Sequence, residues 1–322
     1  MSKTGRFVLL GMGILWSLTA LIMLTQGCRK QEGVAPPRPK IALVMKSLAN
    51  EFFKTMEEGA RTHQRENAAE YTLIVNGIKN EQDVNRQTEI VELMIAQGVD
   101  AIVIAPADSK ALVPVCKKAL DRGMAVINID NKFDDGVLAD KKIKIPFVGP
   151  DNRKGARMAG EYLAQHLHAG DKVAIIEGIP TAFNALQRKL GFEEAMNAAG
   201  MNIVARQSGR WEIAEGQKVA GSVLTENPDL KAFLCANDNM ALGAHAALKA
   251  AQKSAEILVI GYDNISAAHQ LLQEGAILCT IDQHADRLAV YGIEYALEVI
   301  RKGTTPSDKE TPVDLITADA LK

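Results

Sequence analysis

Several things are scarce in this chain of 322 residues, and each scarcity excludes a class. There are four cysteines. One of them, Cys28, closes an apolar amino-terminal run. That leaves Cys116, Cys235 and Cys279, an odd number, so a disulfide framework does not organise the fold and at least one thiol is free. Cys235 and Cys279 fall in strand-like runs that flank a third strand. Neighbouring strands sit ~4.8 Å apart, so these two are about twice that distance from each other, too far for a bridge. Charge of one sign is also missing. The formal net charge is −2, which argues against a surface for nucleic acid or polyphosphate. No Gly-x-Ser-x-Gly elbow is present. The six histidines are scattered, and His166 and His168, near a helix end, have no cysteine or carboxylate cluster beside them, so no metal site is expected. Nothing calls for a cofactor, and Gly11-Met12-Gly13 lies inside the apolar start, where it cannot serve as a nucleotide loop.

The ordinary part of the composition is 47% hydrophobic and 24% charged, as in a globular protein outside the bilayer. Residues 1–27 stand apart. Lys3 and Arg6 are followed by a nearly unbroken apolar run from Phe7 to Leu24, then Thr25-Gln26-Gly27-Cys28. This reads as an export signal. The small residue before Cys28 resembles a bacterial lipoprotein cleavage site, with lipid on Cys28 and Thr25 where leucine is usual. The alternative is an uncleaved anchor, since the run approaches the ~18 residues that can span a bilayer. Loss of residues 1–27 removes two positive charges and no acid, so the net charge moves from −2 to −4. Residues 28–39, with Pro36, Pro37 and Pro39, read as an extended tether.

From Lys40 onward strand and helix patterns alternate. The spacing predicts helices over 50–66, 81–97 and 109–122, the last capped by Ser109, and strands at 41–45, 71–75, 101–105, 125–129 and 145–148. The pattern then restarts at Asp151. It predicts strands at 172–176, 203–207, 232–235, 257–262 and 277–281, and a last helix over 284–302. Alternation of this kind implies an α/β fold with parallel sheets covered on both faces. Ten strands in two groups of five imply two doubly wound lobes rather than one ten-stranded sheet.

In such sheets ligands meet the carboxyl ends of the strands. The run Phe233-Leu234-Cys235-Ala236-Asn237-Asp238-Asn239 is a strand that stops in polar residues and opens a helix. Asn50, Asp130, Asn131, Asn237, Asp238, Asp263 and Gln283 all fall at such ends. Carboxylates accept from adjacent hydroxyls and amides both donate and accept, which suits a polyhydroxylated ligand. Phe52, Phe53, Trp211 and Tyr262 offer flat apolar faces. The plainer readings differ by residue. Asp238 reads as the helix cap, while Asn237 stands evenly between cap and ligand contact. Phe53 has helical spacing to Met56 and Ala60 and belongs in part to the core, which leaves Phe52 as the better ligand candidate. Asp130 and Asp263 can be posed as a pair of glycosidase carboxylates, but nothing in the sequence supports a raised pKa on either.

Several stretches are recognisable together: Asn50-Glu51-Phe52-Phe53, Gly98-Val99-Asp100-Ala101-Ile102, Ile129-Asp130, Arg188-Lys189-Leu190-Gly191-Phe192, Asn237-Asp238-Asn239-Met240-Ala241-Leu242-Gly243, Gly261-Tyr262-Asp263 and Ile281-Asp282-Gln283. On these the chain from Lys40 to about Leu321 resembles the ribose-binding branch of periplasmic sugar-binding proteins, the binding components of bacterial ABC importers. The resemblance implies ligand contacts at Lys46, Asn50, Phe52, Phe53, Asp130, Asn131, Trp211, Asn237, Tyr262, Asp263 and Gln283. Asn184 or Arg188 would replace a contact arginine of the ribose binder, which aligns with Leu186; a second arginine is replaced by Asn131. These departures leave another pentose, a hexose or a polyol open as the ligand.

The resemblance also implies strand order 2-1-3-4-5 in each lobe and three crossings, near Gly149, Gln283 and Pro312. The lobes would comprise residues 40–148 with 284–312, and 149–283 with 313–322. It implies a monomer with a sugar and an ABC permease as partners, no nucleic acid, and no catalysis; the amino-terminal signal implies a lipid anchor to a membrane, with the chain on its periplasmic or extracellular face. A sensory receptor of the same fold, handing the closed form to a signalling partner, is the alternative of a different class. A repressor effector domain is disfavoured by the export signal, and a glycosidase remains to be tested on chromogenic glycosides.

Overall fold

The computed structural model describes residues 38–321. The export signal, the lipidation position Cys28 and all but the end of the tether lie outside the described residues.

The first lobe is built from β1 (Lys40–Ser47), α1 (Glu51–Glu66), β2 (Thr72–Ile78), α2 (Val84–Ala96), β3 (Ala101–Ile104), α3 (Val113–Leu120), β4 (Ala125–Ile129), α4 (Asp135–Asp140) and β5 (Phe147–Pro150). The second takes α5 (Asn152–Ala164), β6 (Lys172–Glu177), α6 (Phe183–Ala198), β7 (Asn202–Ser208), α7 (Ile213–Glu226), β8 (Ala232–Cys235), α8 (Asp238–Ala250), β9 (Leu258–Ile260), α9 (Ser266–Gln273) and β10 (Thr280–Asp282). The chain then returns through α10 (Ala285–Lys302) and β11 (Lys309–Thr311) and crosses once more into β12 (Asp314–Ile316).

The first sheet has the order β11-β5-β4-β3-β1-β2, with every neighbouring pair parallel. The expected order holds, and β11 adds an edge strand that the sequence pattern did not disclose. The second sheet runs β7-β6-β8-β9. Its fifth position is reduced to one parallel bridge, Ile260 to Cys279, before the chain continues into β10, which pairs antiparallel with β12. Cys235 on β8 and Cys279 thus stand on either side of β9, and Cys116, Cys235 and Cys279 are free and buried. The α10 helix packs on α1, β4 and β3 of the first lobe.

Both faces of the first sheet are covered, and the strand period shows it. Ile41, Leu43 and Met45 point into one core, while Ala42 and Val44 point into the other with Ile90, Val91 and Met94 of α2.

Three local expectations are corrected. The α2 helix starts at Val84, capped by Asp83, whose side chain accepts from Arg86 N. This leaves Glu81 in the loop after β2. The α3 helix starts at Val113, not at Ser109; Pro114 follows, and a proline can supply no helical N–H, so it sits in the first turn. Third, Asn237 is the cap of α8, accepting from Met240 N at 2.9 Å. Asp238 is the first helical residue and turns its carboxylate inward, where Thr280 Oγ1 donates at 2.7 Å and Ile265 N at 3.0 Å.

Candidate functional site

The carboxyl ends of the strands of both lobes converge on one buried cavity. Lys46 is the penultimate residue of β1 in the first lobe. It is 2% exposed, and its Nζ lies 2.9 Å from Asp130 Oδ2 and 3.3 Å from Glu81 Oε2. Asn50, the cap of α1, accepts from Phe52 N through Oδ1 and donates to Glu81 Oε1 through Nδ2 at 3.3 Å. Phe52 and Phe53 start α1 and meet edge to face, with centroids 5.1 Å apart. Both line the cavity and both are buried.

Arg188 organises the second lobe's half. It extends from α6 and is buried. Its Nε donates to Asn152 Oδ1 at 2.8 Å, and one terminal nitrogen donates to Ala236 O at 2.8 Å and to Asp263 Oδ1 at 3.2 Å. The guanidinium lies 3.7 Å above the Tyr262 ring and 5.5 Å from the Trp211 ring. Asp263 also accepts from Gln283 Nε2 at 2.7 Å. Trp211 faces Lys46 across the cleft, its ring 5.8 Å from the ammonium, while Phe53 is 5.4 Å away on the near side. Asn237 donates to Trp211 O at 3.2 Å and so holds that turn in place.

Two cations and three carboxylates thus meet in a space closed to water. Burial raises the Glu81 carboxyl, and the Asp130 charge raises it further, against Lys46 and the Asn50 amide. Asp263 is pushed well up by burial, only partly offset by Arg188. For Lys46 burial alone would lower the ammonium, but the charges of Asp130 and Glu81 outweigh it and the net direction is upward. Each buried carboxyl faces a cationic partner: Glu81 and Asp130 face Lys46, and Asp263 faces Arg188.

Three lining groups are left without a partner inside the protein: Asn184 Oδ1, Trp211 Nε1 and Gln283 Oε1. Buried polar atoms are nearly always paired, so a wall with one donor and two acceptors unpaired is built for a polar guest. The backbone is strained at the same place. Asp130 (φ 62°), Trp211 (φ 70°) and Asp263 (φ 119°) sit at left-handed φ, which side-chain-bearing residues seldom adopt.

Of the residues singled out from sequence, Lys46, Asn50, Phe52, Phe53, Asp130, Asn184, Arg188, Trp211, Asn237, Asp263 and Gln283 line this cavity. Two do not. Asn131 turns away. Its Oδ1 accepts from Ser109 Oγ and Asn184 N, and its Nδ2 donates to Pro106 O, so no polar atom faces the cavity. Tyr262 lies behind Arg188 as its platform. One lining residue, Glu81, was missed. The signal was available: Asp83 is a cap residue, and placing the helix start there leaves Glu81 at a strand end like the others. A larger groove of about 660 Å³, with Asp100, Arg122 and Lys144, lies where β3 and β4 begin. That is the opposite end of the sheet from the one where α/β folds bind ligands.

Comparison with known proteins agrees with this architecture. Residues 41–304 match the model of the periplasmic binding protein domain. The chain belongs to that family. A D-ribose/D-allose-binding protein of Pseudomonas aeruginosa is 58% identical over 287 residues, covering 88% of this chain and 90% of that one. The ribose import binding protein of Escherichia coli is 31% identical over 281 residues, covering 87% and 90%. Among solved structures, an ABC transporter solute-binding protein of Burkholderia multivorans with an unknown ligand superposes with a TM-score of 0.86 at 56% identity, covering 87% of this chain and all of that one. One from Actinobacillus succinogenes with bound D-allose gives 0.83 at 35% identity, covering 88% and 99%. In this periplasmic binding protein the cleft between the lobes is therefore the place to look for a solute.

Proposed function

We propose that the protein captures one monosaccharide between its lobes and delivers it, unaltered, to an ABC importer. The observation that carries this is the enclosed cavity itself. Aromatic rings stand on both sides, two buried cation–carboxylate groups face each other, and three polar atoms lack partners. The carboxylates repel anions, and the amides and charges suit hydroxyl groups. D-allose and D-ribose, the sugars in the names of the relatives, are the first candidates.

In this reading Lys46, Asn50, Glu81, Asp130, Asn184, Arg188, Asn237, Asp263 and Gln283 bind hydroxyls, and Phe52, Phe53 and Trp211 flank the ring. The mature chain is a monomer held to the membrane by lipid on Cys28, with its lobes on the outer side. The mass of the mature amino-terminal peptide tests the lipid, and steady release of product from chromogenic glycosides would refute the absence of catalysis.

Trp211 reports on the main claim, because the only other tryptophan, Trp16, lies in the export signal. Intrinsic fluorescence and melting temperature of the mature chain are followed against D-allose, D-ribose, other pentoses and hexoses, and polyols. A saturable Trp211 change with one sugar is the expected result. At one hundred times the dissociation constant the native state gains about 2.7 kcal/mol. No response in either signal to any sugar or polyol would refute the proposal.

A further inference from the structure

Two helices of the second lobe, α6 and α9, begin after a residue that cannot cap them. The residue before α6 is Ala182 and the residue before α9 is Ile265; neither has a side chain that can accept a hydrogen bond. Each helix nonetheless has its first N–H groups satisfied, and in both cases the acceptor comes from the other lobe. Phe183 N donates to Ser109 Oγ at 2.9 Å, and Asn184 N donates to Asn131 Oδ1 at 3.2 Å. At a different point of the rim, Ser266 N donates to Glu51 Oε1 at 2.8 Å and Ala267 N to Glu51 Oε2 at 3.4 Å. Helices α5 and α8, by contrast, are capped from within the lobe by Asp151 and Asn237.

We infer that Ser109, Asn131 and Glu51 are positioning residues for ligand capture: they cap α6 and α9 across the cleft and hold the lobes together independently of the ligand. The capping N–H groups are a helix's orphan donors, and an acceptor placed on them is worth roughly a factor of two to thirty. Here the whole of that factor acts on the equilibrium between closed and open lobes, because opening separates donor from acceptor. Glu51 adds its negative charge at the positive end of α9. None of the three side chains lines the cavity. The inference rests on the capture of a solute between the lobes, and it reassigns Asn131 from ligand contact to lobe fastener.

The test compares the mature wild-type chain with Glu51→Ala, Ser266→Pro, the pair combined, and Ser109→Ala. Ser266→Pro deletes the N–H that Glu51 receives yet spares the helix. Ser266 is the first residue of α9, where proline is favoured, and Ile265 before it already has φ −73° and ψ 151°, which proline tolerates. Stopped-flow Trp211 fluorescence with D-allose or D-ribose gives association and dissociation rates. Dissociation about fivefold to tenfold faster in Glu51→Ala, Ser266→Pro and Ser109→Ala, association little changed, and no further loss in the combined variant is the expected result. A merely structural role would lower the ligand-free melting temperature without raising the dissociation rate. Unchanged dissociation in Glu51→Ala and Ser266→Pro would overturn the inference. If wild type binds no sugar in the panel, the ligand reading fails by itself, and small-angle scattering of the ligand-free chains decides the rest. A larger radius of gyration in the variants supports the cross-lobe caps, and identical radii overturn them.

Discussion

Replacing Arg188 with methionine puts the electrostatic account of the cavity at risk. The substitution keeps an apolar stem of similar length but removes the charge and the fork. Three acceptors then lose a donor: Asn152 Oδ1, Ala236 O and Asp263 Oδ1. Asp263 keeps only Gln283 as a partner. Breaking a buried pair by removing one member costs about 3–5 kcal/mol, because a charge is left without compensation. In a chain of this size that is a fall in melting temperature on the order of 10 °C. The effect depends on pH in a known direction. Burial already holds the Asp263 carboxyl well above its ordinary range, and Arg188 is what pulls it back. Without Arg188 the folded-state pKa rises further. A carboxyl whose pKa is raised on folding binds its proton more tightly in the folded state, so stability falls as pH rises through that interval. The gap between wild type and Arg188→Met therefore widens as pH rises through that interval and narrows as pH falls. Melting by circular dichroism across that range is the assay, with Arg188→Met/Asp263→Asn as the companion. The double variant should recover part of the loss, since the orphaned charge is gone. A gap that is constant with pH, or a double variant worse than the sum of its parts, would refute the argument.

Three further outcomes follow from the same geometry. The Asp238 carboxyl is pushed up to about 7 by burial, against the bonds from Thr280, Ile265 and Tyr262; carbon-detected titration should find its midpoint near neutrality, and its contribution to stability should fall as pH rises from about 4 to 7. Gly178→Ala places a methyl group against the Trp211 indole, so Trp211 emission should shift in the ligand-free protein and sugar affinity should fall by tenfold or more in the same fluorescence titration. Glu81→Ala removes one of the two carboxylates on Lys46 and the acceptor of the Asn50 amide, and the dissociation constant measured by calorimetry should rise about tenfold, or 1.4 kcal/mol.

The sequence by itself determined the alternation of strands and helices, the two parallel-sheet lobes and the family. The physical reason is that strand burial writes unbroken apolar runs, such as Ala101–Ile104, and strand ends write polar residues, such as Asn237 after Cys235. Most of the residues that line the cavity were legible for the same reason: the carboxyl ends of buried strands open toward the cleft. Which way a side chain turns from that end was not legible. Asp130 and Asn131 are adjacent, yet the left-handed turn at Asp130 sends one carboxylate to Lys46 and the next amide to Ser109 and Asn184. Asn237 and Asp238 are adjacent, and their roles as cap and buried anchor are opposite to those that helix-cap statistics favoured for Asp238. Tyr262 lies behind Arg188 because only the packed second lobe brings α6 beneath that strand end. Ser109 read as a cap of its own helix and Glu51 drew no separate reading, since their acceptor oxygens meet helices more than seventy residues away in the chain. Local pattern fixes what a segment is, whereas the direction of a polar group at a turn depends on partners that only the closed tertiary structure supplies.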